Sequence, residues 1–476
     1  MSGIIRRNAF PSDIDVDCLV IGGGAAGLTA ALAAQEAGAT VLIAERETRL
    51  SGSTALSSGL IPAAGTRAQQ AQQIDDSEDI FCSDILNKNH HSADPIYVQQ
   101  IVQQISKTID WLSGSYNIPF HVLDNFLYPG HSNHRMHAVP ETTGIGLVNR
   151  LEAAVTAKDI LVVTDALITD LIVDQNDMAL GAICQRPNKD VEHIAASSVI
   201  LACNGYGGNP DLIAEHIPEM KDALYFGHPG NQGEAIIWGA ALGAELAHLS
   251  GYQGHGSVAH PHGILVTWAL MMEGGIQINK NGLRFSNEHQ GYSEQAVSVI
   301  GQPDQVAFNI FDQRLLELGR GFDDFVKAEE NGAVLRAESC DALAKMLAID
   351  RVALEHTLKE CQSYASQEIP DPFGRRFKPE KMLKPPYYAV KVTGALFHTQ
   401  GGLKVNARAQ IQKPNGIAFE NIFACGGAAC GVSGPDVSGY LSGNGLLTAL
   451  SLGEIAGRFA GGLSLIHISE PTRLRR

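Results

Sequence analysis

The sequence predicts an α/β fold in which a parallel-sheet domain is interrupted by an inserted α+β domain. Residues 15–46 follow the order strand, helix, strand, with a glycine turn after the first strand. Residues 198–205 are typical of a buried strand, and they enter a second glycine turn at residues 206–209. Residues 422–429 are strand-like and precede a closing helix at residues 442–459. Strands that alternate with helices in this way indicate a parallel sheet.

Periodicity and turn residues predict the remaining elements. We expect mostly helical structure at residues 77–113 and again at residues 143–157. Residues 160–185 alternate apolar and polar side chains, which predicts paired strands around a turn at residues 174–177. Residues 387–406 are again strand-like.

The length of the chain predicts more than one domain. The 476 residues exceed what one hydrophobic core usually holds, so two domains are expected. We predict the first domain at residues 12–250 and its completion at residues 387–462, where strand-like sequence returns. Residues 251–386 mix helices and loops, and we predict that they form the inserted domain.

The first glycine turn has the spacing of a dinucleotide-binding site. Gly22 permits a tight turn, Gly24 lets the backbone approach a pyrophosphate, and Gly27 lets the helix pack on the strand. The helix that follows directs its N-terminal N–H groups at the phosphates. Glu45 ends the second strand, where a carboxylate accepts hydrogen bonds from ribose hydroxyls. We therefore predict a Rossmann-type domain with a bound dinucleotide; a tight turn without a ligand is the alternative.

Charge, hydropathy and cysteine spacing argue against several classes of protein. The formal net charge of −16 opposes binding to nucleic acid or to an anionic membrane surface. No apolar run is long enough for a membrane span, and residues 1–10 lack the apolar segment of a secretory signal. The eight cysteines form neither CxxC nor CxxCH, and the histidines lack metal-ligand spacing. We expect buried free thiols, no metal and a cytoplasmic location.

The last residues, 463–476, are set apart from the fold. They include LSLIHISEPTR, which resembles one reading frame of a sequencing-library transposase adaptor. We expect this tail to be an assembly artefact and exclude it from the fold prediction; a natural basic tail is the alternative.

Several longer segments carry a family resemblance. The chain resembles the fumarate reductase/3-ketosteroid dehydrogenase flavoprotein superfamily in VIGGGAAG, SGSTALSSGLIPAAG, LACNGYGGN, HTQGGLKVN, NIFACGGAACG and GYLSGNGLLTALSLGEIAG. The resemblance extends over nearly all of the chain before residue 463, and GYLSG is closer to the ketosteroid dehydrogenases. It implies a Rossmann-type FAD-binding domain, an inserted α+β capping domain over the flavin, and FAD rather than NAD as cofactor.

The resemblance also implies which residues bind FAD. The family's second flavin contact is the glycine-rich helix start near residues 443–444, where N–H groups stabilise negative charge on the reduced flavin. Some relatives attach FAD through a histidine in a loop of small residues, which is residues 51–65 here and is called the small-residue loop. Its residues 52–54 are Gly-Ser-Thr, so we expect non-covalent FAD. The predicted cofactor-binding residues are Gly22, Gly24, Ala26, Gly27, Glu45, Ser53, Thr54, Ser58, Gly59, Asn204, Gly205, His398, Gly426, Gly427, Ser442, Asn444 and Leu446.

Two tyrosines stand where fumarate reductases of this superfamily have arginines. Their proton-donating arginine follows a VNKxGxRFxNE-like motif by four residues; here that motif ends at Glu288, and Tyr292 holds the position. Their carboxylate-binding arginine precedes an LGGN-like turn; here Tyr440 precedes the turn. The glutamate of their proton relay aligns, more loosely, with Trp268. Two arginines suit a dianion, whereas two phenols suit a neutral carbonyl.

On this basis we predict dehydrogenation of the α,β bond beside a ketone, or the reverse ene-reduction. The Tyr440 hydroxyl, with a backbone N–H near residues 443–444, polarises the ketone and stabilises enolate charge. Tyr292 removes the α proton, and the β hydrogen leaves as hydride to flavin N5. Since the ordinary pKa of tyrosine is about 10, Tyr292 needs the flavin-side dipole or a neighbouring histidine to ionise. We expect a 3-ketosteroid, another cyclic ketone or enone, or an oxo-acid as substrate, with an external electron acceptor or donor.

Histidines and one arginine are further candidates. His255 aligns with a family histidine that contacts substrate, and we assign it to the catalytic group, whereas His398 matches a histidine near the flavin. A polar cluster that lines either a pocket mouth or a solvated loop contains His131, His134, Arg135 and His137. Arg135 would supply the carboxylate clamp of the alternative function, a fumarate-type reductase of α,β-unsaturated carboxylates.

Other classes of flavoprotein fit the residues less well. An aromatic hydroxylase would carry later motifs that are not apparent here. A pyridine-nucleotide disulfide reductase needs a CxxxxC pair near the first helix, whereas Cys425 and Cys430 have that spacing in the C-terminal flavin segment. A non-catalytic electron carrier would not need a capped pocket, and bleaching of the flavin by a substrate separates it from an enzyme.

Overall fold

The computed structural model describes residues 3–124, 126–367 and 369–469, with side chains of the last helix as far as residue 463. The strands are β1 (Gly3–Arg6), β2 (Ile14–Ile21), β3 (Val41–Ala44), β4 (Ile61–Pro62), β5 (His121–Leu123), β6 (Met136–Ala138), β7 (Leu161–Val163), β8 (Leu167–Val173), β9 (Ala179–Gln185), β10 (Val191–Leu201), β11 (Leu224–Tyr225), β12 (Leu246–Ala247), β13 (Tyr252–Ala259), β14 (Ile264–Leu265), β15 (Ile276–Ile278), β16 (Val306–Asp312), β17 (Val334–Ala337), β18 (Tyr387–Thr399), β19 (Gly402–Leu403), β20 (Gln410–Gln412) and β21 (Ala418–Ala424). The helices are α1 (Ala25–Glu36), α2 (Gly52–Ala55), α3 (Arg67–Ala71), α4 (Glu78–Lys88), α5 (Pro95–Tyr116), α6 (Gly144–Ala157), α7 (Pro210–His216), α8 (Glu234–Leu242), α9 (Ala269–Met272), α10 (Tyr292–Ile300), α11 (Gln313–Gly319), α12 (Asp323–Glu330), α13 (Cys340–Leu347), α14 (Arg351–Ala365) and α15 (Asn444–Ser469).

The chain divides into two compact units. The first comprises Met1–Ile217, Gly227–Tyr252 and His398–Arg476, and the second comprises Pro218–Phe226 and Gln253–Phe397. Most of β18 lies in the second unit because it pairs there with β16 and β17, whereas the sequence boundary assigned residues 387–462 to the first domain. Of the tail that we set apart, residues 463–469 continue α15, and residues 470–476 lie outside the described residues.

A parallel sheet organises the first unit. Strands β3, β2, β10 and β21 lie side by side and parallel, in a sheet with the order β1-β8-β9-β10-β2-β3-β7. All four residues of β3 are buried aliphatic side chains, as a central parallel strand requires. Strands β8 and β9 form the predicted antiparallel pair around residues 174–177. Because the parallel strands end at one edge, the loops that follow them are brought together there.

Helices α1 and α15 pack through small residues in the first unit. A Cβ built on Gly457 would lie 2.1 Å from the carbonyl oxygen of Ala30, and Gly453 meets Ala26 in the same way. These contacts recur every four residues in both helices, so one face of each helix is involved and the helices run parallel. The start of α15 therefore extends past the start of α1, by about 12 Å at the helical rise of 1.5 Å per residue.

The second unit is built on another sheet. Its order is β14-β13-β18-β16-β15, and β11 and β17 also pair with β18. Of these strands, β18 lies within residues 387–406, which the sequence predicted to be strand-like, whereas β13 and β16 were not identified, for two physical reasons. Strand β13 has the sequence YQGHGSVA, in which glycine weakens the strand pattern. Strand β16 is a short run that is buried throughout, and periodicity alone does not separate such a run from a buried helix.

Within residues 3–124, 126–367 and 369–469, no helix combines the length and apolar character that crossing a membrane needs.

Candidate active site

The turn after β2 has the backbone geometry of a phosphate-binding loop. Gly22 has a φ of +109°, a conformation that side chains other than glycine rarely adopt. A Cβ on Gly27 would lie 1.9 Å from the carbonyl oxygen of Gly22, so glycine is required for α1 to pack on the turn. A Cβ on Gly24 would meet nothing closer than Thr54 Oγ1 at 3.6 Å, which leaves its backbone approachable. Ala26 is buried in the first turn of α1.

The Glu45 carboxylate lies against this turn. One oxygen accepts the N–H of Gly23 at 2.7 Å, and the other accepts the N–H of Glu47 at 3.0 Å. Glu45 is only 6% exposed. A carboxylate has about four acceptor positions, so these two bonds leave capacity for ribose hydroxyls.

The small-residue loop is tied to the same edge of the sheet. Ser53 Oγ accepts hydrogen bonds from the side-chain amides of Asn204 and Asn231, each at 2.9 Å. Thr54 Oγ1 accepts the N–H of Ala25 at 3.1 Å, at the start of α1. These contacts join the loop, the N-terminus of α1 and the turn after β10 within the first unit.

Two further glycines let side-chain oxygens approach closely beside the loop, and a third has a positive φ. A Cβ on Gly205 would lie 2.0 Å from Thr399 Oγ1, and a Cβ on Gly427 would lie 2.1 Å from Asn204 Oδ1. Gly426 has a φ of +60°. A cradle of this kind, with buried acceptors and a helix N-terminus, fits the predicted dinucleotide.

Two residues of the small-residue loop that we predicted to bind FAD, Ser58 and Gly59, differ in their exposure. Ser58 is exposed. Gly59 is buried, and a Cβ there would lie 2.6 Å from the carbonyl carbon of Thr143. The tight packing of Gly59 supports the loop by backbone contact.

The start of α15 contains a buried phenol. Tyr440 is 6% exposed, Ser442 is 5% exposed and Asn444 is fully buried. Burial raises the pKa of the Tyr440 phenol, while hydrogen bonds from the N–H groups of Gly443 and Gly445 act in the opposite direction. Burial is the larger of these effects and keeps the phenol protonated, so neutral Tyr440 has a hydrogen to donate.

His398 lies beside this phenol in the first unit. Its ring centroid is 5.6 Å from that of Tyr440, with the planes nearly perpendicular at 77°. A Cβ on Gly445 would lie 2.9 Å from His398 Cε1, so α15 begins directly against the imidazole. Burial lowers the pKa of His398 to about 4, which keeps the ring neutral. Leu446, in the next position of α15, is half-buried against the hydrophobic core.

In the second unit, His255 is stacked between aromatic rings. Its centroid is 4.8 Å from Tyr292 and 5.3 Å from Phe397, with interplanar angles of 21° and 20°. Trp268 meets the same ring edge-on at 5.9 Å. His255 Nδ1 accepts the N–H of Ser257 at 3.2 Å, and burial lowers the pKa of His255 to about 3. The imidazole is therefore neutral, with its hydrogen on Nε2.

This arrangement bears on one of the two expected ways for Tyr292 to ionise. A neutral, stacked His255 contributes no positive charge, which leaves the flavin-side dipole as the other expected source. Tyr292 is the first residue of α10 and is half-buried.

The motif before Tyr292 is anchored by a buried ion cluster. Glu288 accepts hydrogen bonds from Arg284 at 2.9 and 2.7 Å and pairs with Arg375 at 3.0 Å. Although burial opposes ionisation, Arg375 and Arg284 lower the pKa of Glu288 to about 2. Trp268, at the position of the relay glutamate, donates its indole N–H to the Glu288 carbonyl at 3.2 Å. These contacts fix the position of the segment that precedes α10.

The surroundings of Arg135, which was one candidate for a carboxylate clamp, do not favour that role. Its side chain is fully buried and makes two 3.0 Å hydrogen bonds to Asp76 and a 2.8 Å ion pair with Asp84. His137 is also fully buried, between Thr66 and the Arg135 carbonyl. This part of the cluster belongs to the interior of the first unit and is neither a pocket mouth nor a solvated loop.

Other polar residues of that interior support the start of α15. His131 donates through Nε2 to the Ser442 carbonyl at 3.0 Å, and it is 6% exposed. His134 is half-buried, and its carbonyl accepts a hydrogen bond from Gln69.

Several buried amides at the site were not predicted from the sequence. Asn231 contacts Ser53, and Gln400 contacts both His398 and Ser433. Gln400 could have been identified from the sequence, because it is a large polar residue inside the glycine-rich segment HTQGG. An amide that is buried in such a segment requires hydrogen-bond partners.

All eight cysteines are free thiols. In the described part of the chain, no three histidine, cysteine or acidic side chains are grouped so that they could hold a metal ion.

Comparisons with known proteins agree with this geometry. Residues 17–446 match the sequence profile of a family described as an FAD binding domain. The chain is 28% identical over 457 residues to a probable fumarate reductase of Shewanella frigidimarina, with 94% of this chain and 75% of the relative covered. It is similar to the open conformation of a flavocytochrome c3 fumarate reductase, with a TM-score of 0.81, 26% identity, and 95% of this chain and 79% of that chain covered. A 3-ketosteroid-Δ4-(5α)-dehydrogenase from Rhodococcus jostii shares the fold, with a TM-score of 0.77, 23% identity, and coverage of 97% and 100%.

Proposed function

The chain belongs to the FAD binding domain family, and on this premise we propose that it reduces the carbon–carbon double bond of an α,β-unsaturated ketone. It is an FAD-dependent oxidoreductase of a group that acts on such double bonds. The observation that supports a ketone substrate is that Tyr440, beside the start of α15, is a buried neutral hydrogen-bond donor. Desaturation beside a ketone is the same chemistry in reverse.

The first unit would hold FAD without a covalent bond. The turn with Gly22, Gly24 and Gly27 and the N-terminus of α1 suit the pyrophosphate, and Glu45 suits the ribose. The start of α15, with buried Asn444, suits the flavin ring. Bound FAD supplies a ring that in its reduced form donates hydride to the β carbon of the substrate.

We assign recognition of the carbonyl to Tyr440. Its oxygen accepts from the amides of Gly443 and Gly445, so its hydrogen is directed to another acceptor. A carbonyl oxygen gains negative charge as the double bond is reduced, and a buried donor stabilises that charge more strongly than the neutral ground state. A neutral phenol serves this role without requiring an anionic substrate.

We assign the proton that completes the reduction to Tyr292. The reaction adds hydride at the β carbon and a proton at the α carbon, so a neutral phenol is the useful form. The neutral ring of His255 beside Tyr292 supports this direction, because it does not stabilise a phenolate. His255 Nε2–H is a further donor to substrate in this proposal.

A fumarate-type reductase of unsaturated carboxylates is the second candidate. The similarity to a probable fumarate reductase favours it. It requires a carboxylate clamp, and the one that we considered, Arg135, is already paired with Asp76 and Asp84. We therefore prefer the ketone.

Anaerobic stopped-flow spectroscopy tests this proposal. The holoenzyme is reduced chemically and mixed with a cyclic enone, a steroid enone, fumarate or urocanate, and the return of the yellow flavin band is followed. We expect rapid reoxidation by an enone. Reoxidation by fumarate or urocanate and by neither enone would reject the ketone and establish the carboxylate alternative.

Matched tyrosine variants test the two roles. Tyr440→Phe and Tyr292→Phe should each slow enone-dependent reoxidation by about 100-fold or more, with FAD content unchanged. Tyr97→Phe removes a 2.8 Å hydrogen bond to the Cys430 carbonyl in the first unit, and Tyr388→Phe removes a hydrogen bond to Gln313 in the second. These controls should react at nearly the wild-type rate. Equal effects in all four variants would contradict the assigned roles.

A further inference from the structure

A row of buried side chains links the start of α15 to His398. Asn444 Nδ2 donates to Ser433 Oγ at 2.9 Å, and Ser433 Oγ donates to Gln400 Oε1 at 2.7 Å. Gln400 Nε2 then donates to His398 Nδ1 at 2.9 Å. Ser433, Gln400 and Asn444 are at most 5% exposed, so water does not substitute readily for these bonds.

Each bond in the row determines the direction of the next. Because Ser433 accepts from the Asn444 amide, its own hydrogen is available for the Gln400 carbonyl. That bond turns the NH2 group of Gln400 towards His398. A ring nitrogen that accepts a hydrogen bond carries no hydrogen, and a neutral imidazole then carries its hydrogen on the other nitrogen.

A competing acceptor lies next to the same ring nitrogen. The carbonyl oxygen of Thr399 is 3.3 Å from His398 Nδ1, and it favours a hydrogen on Nδ1. The Gln400 amide is closer, at 2.9 Å, and favours the opposite tautomer. The side chain of residue 400 therefore decides between the two tautomers.

We propose that Gln400 is a positioning residue that holds His398 in the Nε2–H tautomer, so that the imidazole presents a hydrogen-bond donor beside Tyr440. The row leaves Nε2 as the only ring nitrogen with a hydrogen, in a ring 5.6 Å from the Tyr440 ring. The tautomer does not depend on which substrate is used. Its contribution to turnover rests on the proposed enone reduction.

Nitrogen NMR of the holoenzyme tests the tautomer directly. The protein is labelled with 15N-histidine, and long-range proton–nitrogen spectra at neutral pH show which ring nitrogen carries hydrogen. The His398 signals are those among the 17 histidines that disappear in His398→Asn. We expect Nε2–H in the wild type and Nδ1–H in Gln400→Met, where the Thr399 carbonyl becomes the remaining partner of Nδ1.

Two further variants separate this role from general damage. Gln400→Glu keeps the shape but replaces the donor by an acceptor, so it should also move the hydrogen to Nδ1. Gln100→Met removes a 2.7 Å amide bond to the Ala407 carbonyl at the surface, and it should leave His398 unchanged. If Gln400→Met does not retain FAD, Gln400→Glu gives the same measurement.

Turnover supplies the second readout. Gln400→Met should lower kcat/KM for the best enone by about 100-fold with unchanged FAD content, as expected for a lost donor. Nδ1–H in the wild type, or Nε2–H in both Gln400 variants, would overturn the proposal. A changed tautomer with unaltered turnover would overturn its catalytic part. Failure of every enone would instead reject the proposed function, and the NMR result would stand.

Discussion

Replacement of Arg135 by methionine tests whether this residue is structural or binds substrate. The Arg135 side chain is fully buried, as is that of Asp76, and the side chain of Asp84 is 8% exposed. Removing one partner of a buried ion pair costs about 3–5 kcal/mol because a charge is left without compensation. Both carboxylates also accept other hydrogen bonds, which include those from Ser132 at 2.6 and 2.8 Å and from Asn133 at 3.0 Å. We therefore expect Arg135→Met to lower the free energy of unfolding by about 3 kcal/mol, near the lower end of that range.

Urea unfolding of the holoenzyme in excess FAD measures this loss. The excess is needed because a cofactor that binds only the native state adds to its apparent stability. Arg150→Met is the matched control, since Arg150 makes a similar two-bond pair with Glu141 at 3.0 and 2.7 Å but at the surface. Its loss should be clearly smaller because both groups remain solvated.

Kinetics of the remaining folded enzyme complete the test. If the role of Arg135 is structural, the Arg135→Met enzyme should keep the wild-type KM for an enone at temperatures below its unfolding temperature. If Arg135→Met were as stable as Arg150→Met and specifically lost affinity for an unsaturated carboxylate, the buried ion-pair argument would be refuted. The carboxylate clamp would then be restored.

Two other predictions follow from backbone packing and from burial. Gly27→Ala should yield protein with little bound FAD, measured as flavin absorbance relative to protein absorbance, because its Cβ would lie 1.9 Å from the Gly22 carbonyl oxygen. Gly114→Ala, in α5 with no atom within 4 Å of its Cβ, should retain FAD fully, and FAD loss in both variants would contradict this. Burial lowers the pKa of His137 from 6.5 to about 4, so an unfolded chain binds the proton first and stability falls as the pH drops below 6.5. At about pH 5 this lowers the free energy of unfolding by about 2 kcal/mol. His137→Gln should remove that part of the pH dependence measured by urea unfolding. An unchanged pH dependence would argue against a neutral buried ring.

The fold of the first unit was largely predictable because its requirements are local. A tight turn needs glycine where φ is positive, as at Gly22, and helix packing needs glycine where a side chain would collide, as at Gly27. Both requirements concern a few residues that are close to one another in the sequence. The strands of the second unit were harder to identify, since short buried runs such as β16 carry no distinctive period.

The candidate site could be predicted as a set of residues but not as a set of charge states. The resemblance directed attention to Tyr440, Tyr292 and His255, whose roles remain predictions. The structure adds that His255 is stacked on Tyr292 and that burial lowers the pKa of its ring, which supports the proposed transfer of a proton from Tyr292 to the substrate. Neither fact can be read from spacing, because protonation depends on burial and on neighbours from other elements.

The sequence by itself determined that this protein carries a dinucleotide-binding turn, with Gly22, Gly27 and Glu45 in fixed relation along one βαβ segment. Only the tertiary structure decided what the polar residues elsewhere do. Arg135 meets Asp76 across 59 residues of sequence, and Gln400 meets Ser433 across 33. Folding brings such partners together inside a low-dielectric interior, where a charge must be paired and an amide must be satisfied. For that reason an arginine considered for a pocket mouth forms an internal ion pair, and a glutamine from a glycine-rich segment lies within hydrogen-bond distance of a histidine ring nitrogen.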